Sequence, residues 1–322
     1  MRAARLKIKG ESAVYHCVTR VVGGAMLLDK RGKEVLRKQM WYMARFCGVE
    51  ILTYCIMTNH FHVLVRVPEN QTVDDKELLV RFAELYGNQK GRLETFESIL
   101  KKGGEEAEAE RVKLLARMGD VSLFMKELKQ RFSIWYNRSH KRYGTLWAER
   151  FKSVLIEDTA ACLRTIAAYI DLNPVRAGIV EDPKDYRYCG YSEAVVGGTE
   201  AQAGLCKVLE VKTVKTALSK YRKILFLMGS TTSRECQKAM DRETVKKVVE
   251  QDGELPIAQV LRLKIRYFTD GMVLGSKEYV DQIFETHHTL FGKRRKTGAR
   301  QMRGLKASGL TVMRDLRKGV FT

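Results

Sequence analysis

Residues 57–67 read MTNHFHVLVRV, and this alternation constrains the fold more than any other stretch. In a strand, successive side chains point to opposite faces. Phe61, Val63, Val65 and Val67 then share one face, which is apolar throughout and fits a buried sheet face. His60, His62, Leu64 and Arg66 share the other, expected to be mostly open. Two neighbouring imidazoles there can grip one metal ion, or can be two hydrogen-bonded surface histidines. The pair alone does not decide between these readings.

The flanking segments extend the pattern. AVYHCVTR (13–20) reads as a strand, ended by the turn residues Gly23 and Gly24. Residues 29–48 carry Val35, Leu36, Met40, Met43, Ala44 and Cys47 at helical spacing, closed by Gly48 as a C-terminal cap. Residues 49–57 are β-rich, so the order is strand, helix, strand, strand. The stretch 69–118 turns highly charged, and reads as a helical insertion with a solvated face. Residues 121–140 form a stronger helix, with an apolar stripe of Phe124, Leu128, Phe132 and Trp135. Residues 144–158 mix a turn with a strand, in which Trp147 and Phe151 fit core packing. Residues 159–173 are helical, with Asp158 or Thr159 as N-cap. Pro174 disfavours the α conformation at Asn173, so that helix is expected to end there.

Beyond a glycine-bearing linker at 195–204, residues 205–322 read as a basic, mostly helical region. Residues 257–284 suggest helix, turn, helix, with Gly275-Ser276 opening the second helix and a DNA reader as the implied use. The basic tail after Gly292 suits contact with DNA phosphate.

Composition narrows the function classes. A hydrophobic content of 45% over 322 residues is that of a globular chain with a sizeable core. The formal net charge of +20 favours a polyanionic partner, most simply nucleic acid. The seven cysteines are scattered singly without a C-x-x-C pair, which argues against a zinc ribbon and for reduced thiols in the cytoplasm. No signal-peptide core and no bilayer-length apolar run occur, so no membrane role is expected. H-E-x-x-H and the P-loop pattern are both missing, which removes the zincin and P-loop readings.

A metal on the histidine pair needs a reacting partner. In TIAAYIDLNPVRAG, Tyr169 and Asn173 lie four apart on one helix face. Leu163, Ile166, Ala167 and Ile170 form the apolar stripe that docks this helix, leaving Tyr169 and Asn173 toward a cleft. Tyr169 alone also fits simple packing, and Asn-Pro alone fits a turn. His16, on the first strand, reads as structural.

Taken together, MTNHFHVLVRVPEN, GTLWAERFKSVLIED and AAYIDLNPVRAGIV resemble, in order and spacing, the REP-associated tyrosine transposases. These are relatives of the single-tyrosine insertion-sequence transposases of the HUH class (histidine, bulky apolar residue, histidine). The resemblance spans about residues 10–195. It implies an α+β fold, a ferredoxin-like or RRM-like antiparallel sheet flanked by helices, with a catalytic domain over 1–198 and the region 205–322 appended. It implies Tyr169 as nucleophile, His60, His62 and Asn173 as ligands of Mg²⁺ or Mn²⁺, and single-stranded or hairpin DNA as substrate. The implied chemistry is strand cleavage and rejoining through a 5′-phosphotyrosine, by a monomer or a homodimer near the nucleoid. Arg150, Lys152 and Arg176 are the expected phosphate contacts. Two rivals stay open: a non-catalytic RRM-like nucleic-acid binder, and a metal-dependent phosphodiester hydrolase without a covalent intermediate.

Overall fold

The computed structural model describes residues 6–8, 10–69, 72–87, 89, 91–229, 268, 271–291, 295, 297–301 and 310–314. The strand–helix–strand–strand order is observed: β1 (Ala13–Arg20), α1 (Lys30–Cys47), β2 (Glu50–Ile56) and β3 (His60–Val67). The Asp29 carboxylate caps α1 by accepting from the Gly32 N–H at 2.6 Å. Gly48 ends the helix in the left-handed conformation (φ 66°), where a side chain would also run into Arg81. The charged stretch forms α2 (Asp75–Tyr86), α3 (Arg92–Lys102) and α4 (Gly104–Leu115). Next come α5 (Val121–Ser139), β4 (Lys152–Ile156) and α6 (Ala160–Asp171), whose N-cap is Thr159.

The sheet is mixed and mostly antiparallel, in the order β2-β3-β1-β4-β5-β7-β6, where β5 is Gly271–Gly275, β6 Arg300–Gln301 and β7 Thr311–Arg314. Among the described strands only β4 and β5 pair in parallel. Helices cover both faces. On one side, Phe61 of β3 meets Trp147, which Phe132 of α5 also touches, and Trp41 of α1 packs on Tyr54 of β2. Trp147 and Phe151 are buried, as their apolar rings suggest. On the other side lies α6, tied to β2 by Thr53 and Asp171.

Three expectations require correction. The helix expected to stop at Asn173 ends at Asp171, and Asn173–Arg176 forms a separate turn, α7, in which Pro174 takes an early position that needs no N–H donor. The expected linker at 195–204 is mostly helix. Only a short turn at 196–198 separates α8 (Gly190–Val195) from α9 (Thr199–Leu209), and α10 (Val214–Gly229) follows. Its glycine count misleads because Gly204 is a packing residue: a Cβ there would sit 2.7 Å from the carbonyl oxygens of Ile51 and Leu52. Residues 271–275, expected within a helix–turn–helix, form β5, which is held by β4 on one side and β7 on the other. Ser276 does open the following helix, α11 (Lys277–Thr286), as its N-cap. The first expected helix of that motif, apart from Phe268, lies outside the described residues, as does most of the basic tail.

Candidate active site

Strand pairing builds the site. Val18 of β1 lies opposite both His62 and Lys152, and Arg20 opposite His60. His16, two residues back on β1, shares the face of Val18 and reaches diagonally to His62. Its Nε2 lies 2.9 Å from His62 Nδ1, and the two rings stack with centroids 5.1 Å apart. His16 Nδ1 in turn lies 2.8 Å from the carbonyl oxygen of Phe268. His60 and His62 are neighbours with near-perpendicular rings, centroids 5.1 Å apart. His60 Nδ1 meets the Asn59 side-chain oxygen at 2.6 Å, while the Asn59 amide donates to the Gly24 carbonyl at 3.2 Å.

The histidine face is not open. His16 is fully buried, His62 is 3% exposed, and only His60 and Arg66 retain intermediate exposure. Arg66 is engaged by Asp158 at 2.6 Å. Helix α6 roofs this face because its own apolar stripe, Leu163, Ile166, Ala167 and Ile170, needs a core, and all four residues are buried.

That docking carries Tyr169 to the imidazoles. Its ring centroid lies 5.8 Å from that of His62 and 6.0 Å from that of His16, both edge-on. Phe268 also packs on the tyrosine, with ring centroids 5.0 Å apart. Tyr169 is 3% exposed, so the expected cleft is tightly closed around it. Asn173 sits one turn further along. Its amide nitrogen donates to the carbonyls of Tyr169 and Ile170, both at 3.1 Å, which turns its oxygen away from the helix backbone. The Arg176 guanidinium lies over the Tyr169 ring at 4.4 Å and donates to the Tyr169 carbonyl. Arg176 therefore stands at the tyrosine itself, whereas Arg150 and Lys152 are exposed at the start of β4, Lys152 on the rung of His62.

Burial sets the protonation states. It pushes His16 and His60 down to about 4 and His62 well below the ordinary histidine range, the last helped by neighbouring positive charge. All three are neutral at pH 7. A neutral imidazole is the ligating form, so the pair suits a metal. Among the described residues no cluster of three His, Cys, Asp or Glu groups is placed for a metal ion, so any ion here would depend on the two imidazoles and a neutral oxygen donor. Asn173 offers such an oxygen.

Sequence reasoning missed His16, Asn59 and Phe268. A signal for His16 existed, since it sits on the strand that must pair with β3. Its reach to His62 depends on strand register, which no local pattern states.

Residues 10–76 match the family model described as "Transposase IS200 like". The matched segment carries His16, His60 and His62 and stops short of Tyr169. No curated protein matches the chain. Among solved structures, a REP-associated tyrosine transposase bound to a REP hairpin is similar at 18% identity with a TM-score of 0.40, over 62% of this chain and 87% of that one. No described helix is long and apolar enough to cross a membrane.

Proposed function

We propose that the protein is a metal-dependent, tyrosine-nucleophile DNA transposase that nicks and rejoins single-stranded or hairpin DNA. The observation that carries this reading is the convergence of Tyr169, from α6, on His62 of the β3 histidine pair, with 5.8 Å between the two rings.

In this reading the Tyr169 oxygen attacks a backbone phosphorus. The phenolic proton is lost to solvent, a new O–P bond forms, the bond to the 3′-oxygen breaks, and the departing oxygen takes up a proton from solvent to leave a 3′-hydroxyl. The 5′-phosphotyrosine keeps the phosphodiester energy, so rejoining needs no nucleotide cofactor. His60, His62 and Asn173 would hold Mg²⁺ or Mn²⁺, a mixed nitrogen and oxygen set of three donors, fewer than such an ion takes, so phosphate and water would complete it. When bound, the ion supplies a Lewis acid for the scissile phosphate and for the charge on the departing oxygen. A phenol ordinarily has a pKa of about 10, so it needs help to act as a nucleophile at neutral pH. The Arg176 cation over the Tyr169 ring favours a developing phenolate. Arg150 and Lys152 would hold flanking phosphates, which positions the strand without reading its sequence.

The test is incubation of labelled hairpin oligonucleotides with the full chain and Mn²⁺, resolved on denaturing gels. A cut strand and a covalent protein–DNA band are expected, both removed by chelation. Tyr169→Phe should bind DNA yet give neither product. Cutting that persists in Tyr169→Phe would point to the hydrolase, and binding without any cutting to the non-catalytic reading.

A further inference from the structure

His16 stands outside the reaction just described, yet it is fully buried and its two ring nitrogens have different neighbours. A carbonyl oxygen can only accept, so the 2.8 Å contact with Phe268 requires the hydrogen of His16 on Nδ1. A neutral imidazole has one N–H, so His16 Nε2 is a lone pair. The 2.9 Å contact with His62 Nδ1 can then be a hydrogen bond only if His62 carries its hydrogen on Nδ1. That leaves His62 Nε2 unprotonated.

The same logic holds beside it. The Asn59 amide donates to the Gly24 carbonyl, which leaves its oxygen to accept from His60 Nδ1–H at 2.6 Å. His60 Nε2 is thereby also a lone pair.

We infer that His16 is a positioning residue that sets the tautomer and plane of His62, a relay from the Phe268 carbonyl through two stacked imidazoles that readies His62 Nε2 for a divalent cation. The inference rests on the metal role proposed above for His60, His62 and Asn173. Outer partners of this kind orient a ligating histidine and raise its basicity, and their loss typically weakens metal binding by about 10–100-fold. The arrangement also joins the site to the far end of the chain, since Phe268 packs on Tyr169 while its carbonyl fixes His16.

The first test uses the unaltered, metal-free protein. Long-range ¹H–¹⁵N spectra of the histidine rings should show His62 and His16 protonated on Nδ1, with pyridine-like Nε2. A His62 ring protonated on Nε2 would overturn the relay. The second test is Mn²⁺ binding, read as free Mn²⁺ by electron paramagnetic resonance. His16→Phe keeps an aromatic ring but removes the acceptor, and should weaken binding by about 10–100-fold. His16→Gln, which restores an acceptor oxygen, should recover part of the loss. Binding within about twofold of wild type in folded His16→Phe, while His60→Ala and Asn173→Ala lose affinity, would overturn this inference and leave the metal site standing. Unchanged binding in all of these variants would overturn the metal site itself, and this inference with it.

Discussion

The two faces of β3 are built from the same eight residues and do opposite work. Phe61, Val63 and Val65 are fully buried against the layer that holds α1 and α5, and their neighbours are almost all apolar. His60 and His62 face α6, where the neighbours are imidazoles, a tyrosine, a guanidinium and an amide. Both faces are largely buried, but only one is polar. Burying polar groups costs free energy unless each has a partner. The histidine face meets this with a chain of hydrogen bonds that runs through His16 to Phe268 and through Asn59 to Gly24. Stability is therefore concentrated on one side of the strand and chemistry on the other.

This contrast can be broken by experiment. The largest effect is expected on the polar side, in rate alone. Tyr169→Phe should lower DNA cleavage by roughly three orders of magnitude or more, as for loss of a covalent nucleophile. Its unfolding free energy should change by no more than about 1–2 kcal/mol, the scale of one hydrogen bond. A comparable fall in stability would mean that the tyrosine is a packing residue. On the apolar side the expectation is reversed. Phe61→Ala should cost about 3–5 kcal/mol in denaturant unfolding, because a fully buried ring leaves a cavity in a layer of rings.

A third experiment probes the anchor of the polar side. Asp171, two residues after the tyrosine, is fully buried and accepts from Thr53 of β2, the Tyr191 N–H of α8 and the Tyr221 hydroxyl of α10. Burial raises its carboxyl to about 6, against the donors, which favour the charged form. A raised folded value means that the native state holds the proton more tightly than the unfolded chain. The stability due to this proton is present below about pH 4 and is lost as pH rises through about 6. At 1.36 kcal/mol per unit the full swing is about 3 kcal/mol. The difference in unfolding free energy between Asp171→Asn and wild type should shift by most of that amount, about 2 kcal/mol, toward the variant, from pH 4 to pH 7. A flat difference would show the carboxyl to be unperturbed.

The smallest effect is expected at the exposed edge. Arg150→Ala and Lys152→Ala should each reduce the slope of log K against log salt for single-stranded DNA by about 0.7. Stability should barely change, and an unchanged slope would remove these residues from the DNA path.

Much of this was legible in the chain itself. β1, α1, β2 and β3 follow from period-2 and period-3.6 apolar patterns with their caps, and the charged insertion declared itself as helix. The site was half legible. His60, His62, Tyr169 and Asn173 were readable as candidates, but their company was not. His16 read as structural because its partner is 46 residues away, and register is invisible to local pattern. The strands β5, β6 and β7 were missed for a related reason. They are short and glycine-bearing or basic, and each is drawn into the sheet by a neighbour's edge, β5 by β4, β7 by β5 and β6 by β7. Gly204 read as linker because a glycine in a tight helix–strand contact looks, in sequence, like a glycine in a loop.

What the sequence determined alone was the alternation: which side chains of each strand share a face, and which stripe of α6 is apolar. Those are fixed by backbone stereochemistry and need no partner. What only the tertiary structure decided was which faces meet, that the tyrosine of α6 stands against His62 and His16, and which nitrogen of each imidazole keeps its lone pair. Those depend on register and on hydrogen-bond partners that the chain brings together from residues as far apart as 16 and 268.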